Sequence, residues 1–244
     1  MAEEIKKDVA LNSGGALVNS GEVQEGFEEP IDIKDIIISR ALLLQALSPD
    51  VVAHGDVFRP GQIMDSVTKI ILSAEFIPLY KFTNYIRFNP RNQKHPDYDP
   101  AYGPGDIMWR TSDPLDKRVI EETKFRDDGS APLAIKFLNY MSYFPGTDMP
   151  IVVSFAKTSY NAGKNLLNLA LRTKKAMFAT KYKLSSMPEV NSAGQSYFVL
   201  SVDSLGPVSE EEFALAKKLK DLYSIKNVKV HEEAPAAEET GEAK

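Results

Sequence analysis

Residues 67–88 run through Ile70, Leu72, Phe76, Ile77, Leu79, Tyr80, Phe82, Tyr85, Ile86 and Phe88 with few interruptions. Aromatic and β-branched residues at this density suit a pleated, half-buried surface rather than a helix. Such a stretch needs partners, because a lone ribbon leaves backbone groups and an apolar face in water. The chain supplies candidates. Residues 119–125, 133–144, 151–155, 177–184 and 196–202 all read as strands. Asp127-Asp128-Gly129 is a hairpin signal between the first two, and Asn191-Ser192-Ala193-Gly194 joins the last two. Pro78 marks an edge or a bulge, since proline cannot donate to a ladder.

Two stretches change period. Leu166, Leu167, Leu169, Ala170 and Leu171 cluster behind Thr158-Ser159, a capping pair, and predict a helix ending near Thr173. Ser209-Glu210-Glu211-Glu212 is a capping box that opens a second helix. Its apolar face is Phe213, Ala216, Leu219 and Leu222, with Tyr223 adjoining. The apolar run at 36–47 fits either a short helix or a strand and stops at Ser48-Pro49, and His54-Gly55-Asp56 reads as a turn. Residues 89–118 hold five prolines (Pro90, Pro96, Pro100, Pro104, Pro114) and predict a long irregular loop. Strands with one inserted and one C-terminal helix give a β-rich α+β expectation, with a small OB-like barrel as its specific form.

The ends differ from the middle. Residues 1–30 carry seven acids against two lysines, and residues 231–244 five acids against one lysine. Of 34 acids and 29 bases, 22 and 26 are therefore left for residues 31–230, a net charge of +4. The ends lack the apolar content to order themselves, so a flexible acidic arm (1–30) and a disordered acidic tail (231–244) are expected around one globular domain (31–230). There is no cysteine, hence no disulfide, thiolate metal site or cysteine nucleophile. No apolar run reaches the ~20 residues that cross a bilayer, and the start has no leader pattern, so a cytoplasmic protein without a membrane role is expected.

The strongest local bias lies in residues 149–188. Lys157, Lys164, Arg172, Lys174, Lys175, Lys181 and Lys183 occur there without a single acid. A track of this kind can neutralise phosphates and release counterions, the main term in non-specific nucleic-acid affinity. Phe178 and Tyr182 alternate with its lysines, and Tyr80, Phe82, Tyr85 and Phe88 accompany Lys81 and Arg87. Bases stack on such rings. Tyr182, Tyr85 and the single tryptophan, Trp109, are the stacking candidates, although each also suits a core.

Catalytic patterns are sparse. His54, His95 and His231 are far apart, and no zinc motif, nucleophile elbow, Walker A or dinucleotide fingerprint is present. One pattern is chemically meaningful. Pro96-Asp97, with Glu122-Thr123-Lys124 downstream, resembles the Pro-Asp…Asp/Glu-x-Lys signature of a nuclease superfamily. Asp97 and Glu122 would hold Mg²⁺ and Lys124 would steady the attacking water.

The order of segments resembles single-stranded DNA-binding and recombination-associated proteins of tailed phages. The likeness rests on Leu44-Gln45-Ala46-Leu47-Ser48-Pro49, on His54-Gly55-Asp56-Val57-Phe58, and on Met149-Pro150-Ile151-Val152-Val153-Ser154-Phe155 leading into Lys157-Thr158-Ser159 and Gly163-Lys164. Gln195-Ser196-Tyr197-Phe198-Val199 completes it, so that it spans roughly residues 40–205. It implies a non-catalytic, cofactor-free binder of single-stranded DNA in replication or recombination, with the acidic tail recruiting partner proteins. The closing Gly241-Glu242-Ala243-Lys244 departs from the aromatic end of such tails. The alternatives are the Mg²⁺-dependent nuclease and a phage protein-interaction or structural factor.

Overall fold

The computed structural model describes residues 38–223, together with the backbone of residues 10–11, 17–18, 37 and 229–230. The expected flexible arm and acidic tail fall outside the described residues, apart from β1 (Ala10–Leu11) and β2 (Leu17–Val18), which pair antiparallel. In the described part of the ambiguous run at 36–47 the chain is extended and then turns at Ala46-Leu47. It forms β3 (Ile37–Ile38) and β4 (Ala41–Leu43). Ser48-Pro49 ends it and also opens a short helix, α1 (Pro49–Ala53), with proline in the first turn, where its missing N–H is not needed. β5 (Ile63–Asp65) returns antiparallel beside β4.

The apolar series at 67–88 yields one 14-residue strand, β6 (Glu75–Phe88), at the centre of the molecule. After it come β7 (Ile107–Thr111), α2 (Lys117–Glu122), β8 (Ala134–Tyr143), β9 (Ile151–Phe155), α3 (Tyr160–Arg172), β10 (Thr180–Val190), β11 (Ser196–Pro207) and α4 (Glu210–Tyr223). A six-stranded antiparallel sheet has the order β11-β10-β6-β8-β9, with β7 also on β6. β8 takes one edge of β6. The other edge is shared, β10 pairing at Glu75 and Phe76 and β7 between Tyr85 and Phe88. The register shifts at Pro78, where the missing N–H makes a bulge the natural place for proline. β12 (Lys229–Val230) pairs parallel with β3.

Alternation along the strands builds two cores. Phe76, Leu138, Tyr140, Val153, Phe155, Tyr182 and Leu184 face Leu166 and Ala170 of α3. Ile77, Leu79, Met141 and Val152 face the other way, toward Ala216 and Tyr223 of α4. The molecule is thus a sheet with one helix on each face, a β-rich α+β arrangement. No described helix is long and apolar enough to cross a membrane.

The sheet does not close into the expected OB-like barrel, and its edges show why. On β11 the Gln45 carboxamide accepts from Phe198 N–H and donates to Phe198 C=O, both at 2.8 Å. Ser159 Oγ accepts from Leu200 N–H at 3.0 Å, and Asn165 Nδ2 donates to Val202 C=O at 3.1 Å. On β9, Val152 N–H donates to Ser39 C=O at 2.9 Å. Side chains and a passing segment thus occupy the groups that closure would need.

A second correction concerns residues 119–125, which hold most of a helix, α2, instead of a strand. The Asp116 carboxylate accepts from Arg118 N–H at 3.0 Å and caps the first turn. Asp127-Asp128-Gly129 is a turn, Gly129 N–H reaching Arg126 C=O at 2.9 Å, but it joins a helix to a strand and not two strands. The 89–118 segment is less irregular than expected, since it contains β7. Asn89 organises it, its side-chain amide donating to the carbonyls of Asp99, Tyr102 and Gly103 at 2.9, 3.0 and 3.2 Å.

The capping box forms as read. Ser209 N–H donates to Glu212 Oε2 at 2.9 Å and Glu212 N–H to Ser209 Oγ at 3.1 Å. Glu212 also receives Lys181 Nζ at 2.5 Å. That hydrogen bond, joined by the one from Ser209 N–H, holds the Glu212 carboxyl below the usual glutamate range. A depressed carboxylate contributes stability that is present above its unfolded pKa and is lost as pH falls through the folded value. The Glu212→Gln variant is accordingly expected to lose less melting temperature than wild type on going from about pH 7 to about pH 3. Equal losses would show that this pair carries no acid sensitivity.

Candidate nucleic-acid interface

Helix α3 lies on the sheet through Gly163, Leu166 and Ala170, all buried. Asn161, Lys164, Asn165, Asn168 and Arg172 are exposed, and their spacing of three or four puts them on one outward face. Lys157 precedes the helix and Lys174 and Lys175 follow it, all three exposed. The exposed polar face of the helix is therefore amide and cation with no acid. At the C-terminus Lys174 has φ 52°, the left-handed position that usually takes glycine. A side chain there costs about 1 kcal/mol. It also sets an ammonium where the helix dipole and the last carbonyls favour one.

The sheet beside α3 carries a second set that its strand register identifies. Lys81 pairs with Tyr140, Thr83 with Leu138 and Tyr85 with Lys136. Opposed residues share a face, and Tyr140 and Leu138 belong to the α3-facing core. Lys81, Tyr85 and Lys136 therefore lie on the α3 side. Lys136 Nζ sits 5.7 Å from the Tyr85 ring centroid and 5.9 Å from that of Tyr160, the first residue of α3. Lys164 Nζ is 5.6 Å from the same Tyr160 ring. Arg87, paired with both Ala134 and Trp109, extends this face along β6.

Residues 9–229 match the family described as Pam3 phage gp34-like protein. The chain belongs to this phage family. No curated protein and no solved structure matches it.

The residues singled out from this family member's sequence divide among several places. Lys157, Lys164, Arg172, Lys174 and Lys175 share α3 and its flanks. Tyr85 and Trp109 lie on the same side of the sheet, but Tyr85 is buried and Trp109 is half-buried. Trp109 Nε1 donates to Glu122 at 3.1 Å, and the Arg118 guanidinium lies over its ring at 4.9 Å. Tyr182 is wholly buried, packed beside Phe76, which removes it as a stacking platform. Its neighbours Lys181 and Lys183 point to the opposite face, toward α4. There Lys181 meets Glu212 and Glu75, and Lys183 pairs across the strands with Glu75 and Asp203. The seven-cation track is thus five cations on one face and two acid-neighboured lysines on the other.

Both nuclease-type carboxylates are engaged by other side chains. Asp97 lies in the loop after β6, its carboxylate held by Arg126 and its backbone N–H donating to His95 Nδ1 at 3.2 Å. Glu122 ends a helix, bound to Arg87 at 3.1 Å and to Trp109, while Lys124 is exposed. Among the described residues no three His, Cys, Asp or Glu side chains group as metal ligands.

Lys136, Tyr160 and the three asparagines of α3 were not foreseen, and Lys81 was noted only beside the aromatic series of β6. Lys81 and Lys136 are 55 residues apart in sequence, and only the β6–β8 register brings them together. The asparagines carried a legible signal, an acid-free polar face at helical spacing.

Proposed function

We propose that this phage protein binds single-stranded DNA, in replication or recombination, by gripping the phosphate backbone with the outer face of α3. The observation that carries the reading is the grouping of Lys157, Lys164, Arg172, Lys174 and Lys175 on one side of the sheet, interleaved with exposed asparagines and no acid. Cations supply sequence-independent attraction, and the Asn161 and Asn168 amides add hydrogen bonds to phosphate oxygens, Asn165 being engaged on Val202. The buried positions of Tyr182 and Tyr85 leave phosphate contacts, not stacking, as the main term.

The test is fluorescence anisotropy of a labelled oligonucleotide of about 30 nucleotides across a salt series. Five phosphate contacts on a single strand predict about 100-fold weaker binding from ~50 mM to ~200 mM salt. The pair Lys174→Glu with Lys175→Glu should weaken binding to any sequence and lower the log–log salt slope by about 1.4. Lys183→Glu, on the other face, should do neither. Absence of binding at ~50 mM salt, where the ionic term is strong, would overturn the proposal.

A second reading, a protein-contacting phage factor, is favoured by Leu115 and Phe125, which flank α2 at 78% and 75% exposure, with Ile120 exposed between them. It becomes the better account if no strand is bound.

A further inference from the structure

We propose that Lys81, Lys136 and Lys164, set around Tyr85 and Tyr160, form a binding site for a phosphate-class oxyanion on the α3 side of the sheet. The site is distinct from the outer face of α3 and goes beyond the strand-binding reading; only Lys164 serves both. Three ammonium groups from β6, β8 and α3 lie on this side of the sheet, Lys136 and Lys164 against the shared Tyr160 ring and Lys81 bonded to Thr83, two residues from Tyr85, and among the described residues none of them is ion-paired with a carboxylate. That contrasts with Lys181, Arg87 and Arg126, each of which has its acid. Lys81 Nζ spends one proton on Thr83 Oγ1 at 3.0 Å and keeps two for another acceptor. Lys136 is shared between two tyrosine rings, and Lys164 lies over one of them. Two rings and three cations make a surface rich in donors, without an ion-paired carboxylate among the described residues.

The arrangement also carries a cost that an anion would relieve. Burial first, and Lys136 second, push the Lys81 ammonium below the ordinary lysine range. A lysine half out of water with a second lysine on the same face is a local conflict of the kind that concentrates at functional sites, although Lys136 itself, lowered by burial, is raised on balance by Tyr160 and Tyr85. A phosphate dianion offers several acceptor oxygens and two charges, which suits three converging ammonium groups better than a single carboxylate does. A terminal phosphate monoester brings these two charges, whereas a strand-backbone diester presents the same non-bridging oxygens with one.

The experiment is calorimetric titration of the full chain with inorganic phosphate, against sodium chloride of matched ionic strength. Wild type should bind. Lys81→Met and Lys136→Met should each weaken binding about tenfold or more, the usual loss with one charged hydrogen-bond partner. The double variant Lys174→Glu, Lys175→Glu should bind phosphate as wild type does. Lys81→Met should also melt no lower than wild type without phosphate, which guards against a folding artefact. Circular dichroism of Lys136→Met, an exposed position, is a second guard. Failure of wild type to bind, or binding that survives both methionine variants, would overturn the site. Loss in the Lys174/Lys175 variant instead would place the anion on α3 and also overturn it. A short oligonucleotide with and without a 5′-phosphate then tells the source: preference for the phosphorylated form assigns a terminal phosphate, and equal binding a backbone one, each supporting the site. The site can stand while strand binding fails, because inorganic phosphate and the salt-series oligonucleotide are read separately.

Discussion

Tyr182→Phe is expected to melt higher than wild type, while Tyr182→Ala loses about 3–5 kcal/mol. The two outcomes separate the ring from its hydroxyl. The ring is fully buried and packs against Phe76, with centroids 6.0 Å apart, inside the core that also contains Tyr140, Leu184 and Val202. Truncation to alanine leaves a cavity of side-chain size between sheet and α3. The hydroxyl is different. It is buried, and among the described residues it makes no hydrogen bond of ordinary geometry; burial raises its pKa, with the Thr180 hydroxyl close enough to pull the other way. A hydroxyl taken out of water without compensation costs about 1–3 kcal/mol. Phenylalanine keeps the packing and removes that cost, so a gain of about 1 kcal/mol, roughly 2–4 °C in a domain of this size, is expected. Thermal denaturation measures both. A melting temperature lowered by Tyr182→Phe would mean that the hydroxyl has a partner, and strand affinity altered at equal stability would return Tyr182 to the binding surface.

Gly163→Ala should destabilise the protein by about 1–3 kcal/mol, although alanine is the better helix former by about 1 kcal/mol. A Cβ built at Gly163 would lie 2.6 Å from Phe155 Cβ and 2.9 Å from its Cγ. Non-bonded carbons do not approach one another so closely, and neither side can yield cheaply. Phe155 is fully buried on β9, its ring set edge-on to Tyr140. The Gly163 carbonyl also accepts from Tyr140 Oη at 2.6 Å, pinning the helix to β8. Relief therefore requires α3 to lift, and Tyr160 and Lys164 move with it. Phosphate and strand binding should weaken along with stability. Asn168→Ala, on the exposed face of the same helix, is the control. It should raise stability slightly through propensity alone. Equal melting of Gly163→Ala and wild type would show that α3 is not seated by this contact.

Where expectation and structure part, long-range contact is the cause. Glu75, Asp203 and Glu212 lie outside residues 149–188, so the run reads as acid-free, yet they are the neighbours of Lys181 and Lys183 in space. Tyr182 alternates with those lysines as a stacking residue would, but alternation states only that it faces away from them. The side it faces holds α3 and not solvent. For residues 119–125, Val119-Ile120 and Phe125 suggested a strand, and the capping carboxylate of Asp116 just upstream outweighed them.

The sequence by itself determined the elements whose signals are local. The long aromatic strand with its bulge at Pro78, the hairpin at residues 191–194, the capped helix at Ser209 and the helix ending near Thr173 follow from side-chain period, turn chemistry and the hydrogen-bond needs of helix ends, all acting within a few residues. Only the tertiary structure decided that the sheet stays open, because Gln45 lies 153 residues from the Phe198 backbone it covers. It alone divided the lysines between two faces and set Lys136 and Lys164 against Tyr85 and Tyr160, with Lys81 on the same side of the sheet. Which face meets a helix and which edge meets a side chain depends on how β6, β8 and β10 pair across the chain, and separations of that order leave no trace in a local pattern.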